Sequence, residues 1–185
     1  MAKEPAYPNI HQDLIDRCRE RDRGAQFEIY RLYYKAMFNT SLRIVKDPGE
    51  AEDIMQESFL SAFDKIETYG GTVSFGAWLK KIVINRSLDS LKKHRLSFEL
   101  LDERVLQDSE DMGESDDLSG RIEEIREAIM RLPDGFRVVL TLYLLEGYDH
   151  EEIGQILGIT ASTSRSQFTR ARQKLVEMLK MRSHE

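Results

Sequence analysis

The side chains best suited to recognising another molecule are gathered in Asp149–Met181, DHEEIGQILGITASTSRSQFTRARQKLVEMLKM. From Ala161 onward, Ser162, Thr163, Ser166, Arg170, Gln173 and Lys174 fall towards one face of a helix, while Phe168, Ala171, Leu175 and Leu179 fall on another. Short hydroxyl side chains allow close approach to a base pair, glutamine can pair with adenine, and arginine can pair with guanine or a phosphate. Residues Ala161–Glu185 carry six Lys or Arg against two Glu, a local net of +4. This polar face suits a DNA major groove, although an amphipathic hairpin with a solvated face would show the same pattern.

Two further sets lie upstream. Glu50, Asp53 and Glu57 share a helical face at spacings i, i+3 and i+7. Di-metal helical bundles usually add a Glu-x-x-His pair and repeat it on a second helix. Here His11, His94, His150 and His184 are scattered, so no metal and no cofactor is expected. A solvated acidic face or a protein docking surface remains. The third set is cationic: Lys80, Lys81, Arg86, Lys92, Lys93 and Arg95 follow a loop with two glycines, Thr68–Ser74, and the aromatics Phe75 and Trp78. Such a group suits single-stranded nucleic acid, where phosphates are neutralised and bases stack. Trp78 is equally suited to anchoring its helix, and that reading is favoured for it. No nucleophile–base set occurs, so neither an enzyme nor a small-molecule substrate is expected.

The elements that must position these residues are all helical. Asp149 and Glu152 form a capping box ahead of Ile153, Ile156 and Leu157, Gly158 is placed to end that helix, and Thr160 caps the next. This is a helix-turn-helix. Upstream, helices are expected over Ile10–Arg21 and over Ala25–Val45, the latter with Phe27, Tyr30, Tyr33, Tyr34 and Phe38 mostly in the core. Asp47-Pro48-Gly49-Glu50 opens another, with Asp47 as cap, Pro48 at the first position and Glu50 completing a capping box. A basic helix follows from Phe75, and Arg121–Arg131 and Phe136–Leu145 form two more around the Leu132-Pro133-Asp134 break. No strand-like alternation and no repeat appears.

The 185-residue chain carries a net charge of -6, yet Ser97–Gly120 alone holds nine acidic residues and one basic, which leaves the rest near +2. Two basic segments are thus separated by an acidic, aromatic-poor stretch that reads as a flexible linker. The reading is an all-α chain of two small helical domains, residues 1–96 and 120–185, joined by an acidic linker at 97–119, with a frayed tail over Met1–Pro8. No apolar run is long enough for a membrane span, and the N-terminus lacks a signal-peptide core. The single Cys18 fits a reducing, cytoplasmic compartment.

The spelling and order of these modules resemble the bacterial RNA polymerase sigma factors of the extracytoplasmic-function (ECF) type. Ala51-Glu52-Asp53-Ile54-Met55-Gln56-Glu57-Ser58-Phe59 resembles their region 2 core-binding motif, and Phe75-Gly76-Ala77-Trp78-Leu79 with Ile82 and Asn85 resembles their -10 melting segment. Leu132-Pro133, Phe136-Arg137 and Glu152-Ile153-Gly154 resemble region 4, and Ser162-Thr163-Ser164-Arg165-Ser166-Gln167 with Arg170-Ala171-Arg172 resembles its -35 reading helix. The resemblance implies an alternative factor that binds core RNA polymerase and initiates at a small set of promoters. It implies docking of Asp53, Ile54, Gln56 and Glu57 on the clamp helices of the largest subunit. It implies -10 contacts from Tyr69 and its loop, Lys81, Asn85, Arg86, Lys92 and Lys93. It implies -35 contacts from Ser162, Thr163, Arg165, Ser166, Gln167, Arg170 and Lys174. The linker would pass through the RNA channel, and an anti-sigma factor is a further possible partner. Ser164 stands where the family often has Val, on the inward side, and is expected either to weaken packing or to seat the helix differently. Gly154 replaces a common Ala and keeps the small side chain a close crossing needs. The alternative is an ordinary helix-turn-helix regulator that binds palindromic sites without polymerase.

Overall fold

The computed structural model describes residues 10–99 and 118–182, and among them every regular element is helical. The N-terminal tail and residues 100–117, the body of the expected acidic linker, lie outside the described residues. Eight α-helices follow in order: α1 Gln12–Arg19, α2 Arg23–Val45, α3 Pro48–Asp64, α4 Phe75–Glu99, α5 Leu118–Arg131, α6 Asp134–Leu140, α7 His150–Leu157 and α8 Ala161–Arg182. The chain divides into two compact units between Lys93 and His94. Helix α4 continues past that point to Glu99, and α5 begins at Leu118, so both reach into the span 97–119 expected as linker.

In the first unit α2 starts two residues earlier than its apolar pattern suggests. The Asp22 carboxylate accepts from the amides of Gly24 and Ala25, at 2.7 and 3.2 Å, and so caps a helix that contains Gly24. Asp47 caps α3 by accepting from the Glu50 amide at 2.7 Å, with Pro48 at the first position. The core joins α1, α2, α3 and α4 through Ile15, Ile29, Met37, Met55, Phe59, Phe75, Leu79 and Val83. Around Phe75 the rings interlock: Tyr33 and Tyr69 meet it edge-on at 5.7 and 5.4 Å, and Trp78 lies tilted at 5.5 Å. A Cβ at Gly76 would come within 2.9 Å of the Tyr33 ring, so the glycine lets α4 approach α2. Phe27 departs from the expected aromatic core, for it is 60% exposed.

In the second unit α5, α6 and α8 enclose Ala128, Ile129, Leu132, Leu140, Ala171 and Leu175. The segment expected as one helix over Phe136–Leu145 divides into α6 and a π-helical turn, Thr141–Leu145. The wider turn leaves Tyr143, Leu144 and Leu145 at the surface. Arg137 is wholly buried; its guanidinium donates to the Leu132 carbonyl at 3.1 Å and to Asp134 at 2.7 Å, which closes the Pro133 break.

Candidate nucleic-acid and polymerase interfaces

The helix-turn-helix is built by local signals. At the start of α7 the box is complete: the Glu152 amide donates to Asp149 at 2.8 Å, and the Asp149 amide donates to Glu152 at 2.9 Å. Gly158 ends α7 at φ +69°, a left-handed conformation that glycine adopts freely. Thr160 accepts from the Thr163 amide at 3.0 Å and opens α8. A Cβ on Gly154 would stand 2.8 Å from the Ile159 carbonyl, so the turn as it stands leaves no room even for the alanine common in the family. Ser164 is fully buried, as its register requires, and its hydroxyl shares a 2.9 Å hydrogen bond with His150 Nδ1. The His150 ring stacks on Tyr143 at 4.6 Å, and Tyr143 meets Phe168 at 4.6 Å. The serine therefore seats α8 against α7 through a polar contact where an aliphatic residue would pack.

On α8, Ser162, Thr163, Arg165, Ser166, Arg170 and Lys174 are exposed and Gln167 is half-buried. At 100° per residue six of them stand away from the inward row of Ser164, Ala171, Leu175 and half-buried Phe168, and Gln167 flanks that row. Arg165 lies at the edge of this stripe nearest α7, where Nη2 donates to Glu151 at 2.7 Å.

In the first unit the basic side chains are sorted by α4. Lys81, Asn85 and Lys92 share one exposed stripe, within about 40° of each other around the helix, and Lys93 is exposed about 100° round from Lys92. Arg86 turns instead towards α3 and donates to Glu57 at 2.8 Å. Tyr69 leaves the expected surface altogether: it is 2% exposed, its hydroxyl donates to the Val73 carbonyl at 2.7 Å, and its ring lies 5.3 Å from Trp78. It shapes the Thr68–Ser74 loop from beneath. Trp78 packs, partly buried, on the same core.

On α3, Asp53, Gln56 and Glu57 are exposed, but Ile54 is only 7% exposed and belongs to the core side of its motif. The carboxylates do not converge as metal ligands would. Glu50 accepts from the Ser90 hydroxyl of α4 and Glu57 from Arg86, while Asp53 faces solvent. Beside Gln56 an open apolar groove runs between α2 and α3, with Phe27 and Leu60 exposed at its rim by 60% and 66%. These two residues were missed in the sequence. Phe27 reads there as part of an inward aromatic stripe, and its only signal is that α2 is apolar on more than one face.

Comparison with known proteins identifies the family of both units. The family model described as sigma-70 region 2 matches residues 29–96, and that described as sigma-70, region 4, matches residues 122–175. The ECF RNA polymerase sigma factor SigM of Bacillus subtilis is 30% identical over 149 residues, covering 80% of this chain and 91% of the relative. SigW of the same organism is 28% identical, with 90% and 95% covered. The fold also matches the Bartonella quintana sigma factor RpoE in its complex with the anti-sigma factor NepR, at a TM-score of 0.59 and 22% identity, over 83% of this chain and 95% of that one. The chain belongs to the ECF RNA polymerase sigma factors. It is an alternative sigma factor that directs transcription initiation with RNA polymerase at promoter DNA. The ordinary-regulator reading is not favoured, because the first unit matches sigma-70 region 2 as the second matches region 4, and the relatives are sigma factors over most of both chains. Among the described residues no helix is long and apolar enough to cross a membrane.

Proposed function

We propose that the factor divides promoter recognition among three surfaces. The exposed stripe of α8, Ser162 to Lys174, reads the -35 element in the major groove. The α4 stripe of Lys81, Asn85 and Lys92, together with Lys93, engages the -10 element, and Asn85 with the Thr68–Ser74 loop receives an extruded base. Extrusion costs a few kcal/mol of unstacking, which a pocket must offset. Arg86 approaches the same strand from the α3 side. Asp53, Gln56 and Glu57 dock on the clamp helices of the polymerase's largest subunit, with Ile54 supporting them from the core. Tyr69 acts only through the loop it underlies. The factor itself carries out no chemistry and works in the cytoplasm, where polymerase acts.

The observation that carries this reading is the sorting of exposed polar side chains. In the first unit Lys81, Asn85 and Lys92 share an exposed stripe of α4, and in the second the polar side chains occupy the side of α8 away from the buried Ser164, Ala171 and Leu175. Two solved structures of similar fold are complexes, one with the anti-sigma factor NepR and one of CnrH with the cytosolic domain of CnrY. We infer a comparable inhibitory partner for this chain. The docking assignment is tested by Asp53→Lys with Glu57→Lys. Exposed charges contribute little to stability, typically under about 1 kcal/mol, so both units keep their fold while capture of core polymerase in a pull-down is lost. Undiminished capture would place the docking surface elsewhere.

A further inference from the structure

The ion pair between Arg165 and Glu151 joins the two helices of the helix-turn-helix on its exposed side. Arg165 Nη2 lies 2.7 Å from Glu151 Oε1, and both side chains remain more than half exposed, at 56% and 62%. Such a pair contributes little to stability. Its geometry has another consequence. A guanidinium carries five N–H donors in a planar fork, and Glu151 engages one of its terminal nitrogens. The other donors stay available, enough for a two-pronged contact to the O6 and N7 acceptors of guanine. Meanwhile a side chain that otherwise samples many rotamers is held at one edge of the α8 stripe.

Glu151 itself is firmly placed. It follows His150 in the first turn of α7, between the cap Asp149 and its partner Glu152, where the helix dipole favours a carboxylate. Neither partner of the capping box contacts Arg165 among these hydrogen bonds, so Glu151 can be changed without removing the cap. We infer that Glu151 is a positioning residue for promoter specificity. It fixes Arg165 as a reader of one base pair in the -35 element, and its own charge discourages Arg165 from settling on a phosphate. This inference rests on the assignment of α8 to the -35 element.

The test uses core polymerase reconstituted with the full-length factor and a competing set of promoters in which each -35 position carries all four base pairs in turn, with transcripts counted by sequencing. Arg165→Ala should flatten preference at one position by about tenfold, the size of one good bidentate contact. Glu151→Ala should flatten the same position by about threefold, and raise initiation from promoters without a -35 element, as a carboxylate near phosphates is removed. Glu151→Asp keeps the charge but is one methylene shorter. It should flatten that position without the gain on non-specific promoters, which separates positioning from charge. Full discrimination in both Glu151 variants, while Arg165→Ala loses it, would overturn the inference and leave the α8 assignment standing. No change at any position in Arg165→Ala would overturn both.

Discussion

The exposed polar side chains of the two units are oriented in different ways. In the region 4 unit the stripe begins at the first turn of α8, and its direction is set by a short run of local contacts: the Asp149–Glu152 box, Gly158 at φ +69° and the Thr160 cap. In the region 2 unit the stripe lies along the middle of α4, far from either helix end. Its direction is set by the long-range ring cluster of Phe75 with Tyr33, Tyr69 and Trp78. One surface is therefore aimed by a turn and the other by a core. Each unit also pairs an arginine of its long helix with a glutamate of the preceding helix, Arg165 with Glu151 and Arg86 with Glu57. In region 4 that glutamate belongs only to the proposed reading surface. In region 2 it also belongs to the proposed polymerase face, so docking and strand contact meet at one ion pair.

The core of region 2 is the most sensitive target. Phe75 is fully buried, and Phe75→Ala should destabilise that unit by about 3–5 kcal/mol. Denaturant unfolding of the whole chain should then show the region 2 transition shifted and the region 4 transition in place. A common shift of both would mean the units do not unfold separately. The turn of region 4 is a smaller target. Asp149→Ala removes one cap and should lower the stability of that unit by about 1 kcal/mol, while initiation that depends on the -35 element falls more than this loss of fold explains. If both fall in proportion, the turn supports α8 without aiming it. The smallest effect concerns the region 2 interior. Burial pushes the Cys18 thiol up to about 11, so it stays protonated at neutral pH. Maleimide labelling should be slow in native protein and become fast only with the region 2 unfolding transition; rapid native labelling would mean that α1 opens locally.

What the sequence disclosed follows the same division. The region 4 turn is encoded by neighbours, so its caps, its glycine and the inward register of Ser164 are legible from spacing alone. The hydrogen-bond partner of Ser164 is not, because His150 lies 14 residues away and no periodicity links them. In region 2 the apolar stripes of α3 and α4 were readable, but the outcome for single residues depended on tertiary packing. Tyr69 lies between exposed Thr68 and Gly70, and only the packed structure turns it inward, whereas Ile54 continues the buried row of Ala51, Met55 and Ser58 on α3. Glu50 reads as half of a capping box, yet its carboxylate meets Ser90 across 40 residues. Arg86 reads as one more cation of a basic helix until α3 brings Glu57 to it. The π-helical turn after α6 also escaped, since Phe136–Leu145 has the composition of a single helix.

The most direct test of two separately aimed surfaces is to sequence transcripts made by sigma-free core polymerase reconstituted with the wild-type factor, with Arg170→Ala and with Asn85→Ala, on a library of promoter fragments. The wild type should initiate at promoters sharing two short elements with a fixed spacer. The Arg170 variant should lose preference in the upstream element alone, and the Asn85 variant in the downstream element alone. Loss of both elements in either variant, or of neither in both, would contradict the assignment of α8 and α4 to separate promoter elements.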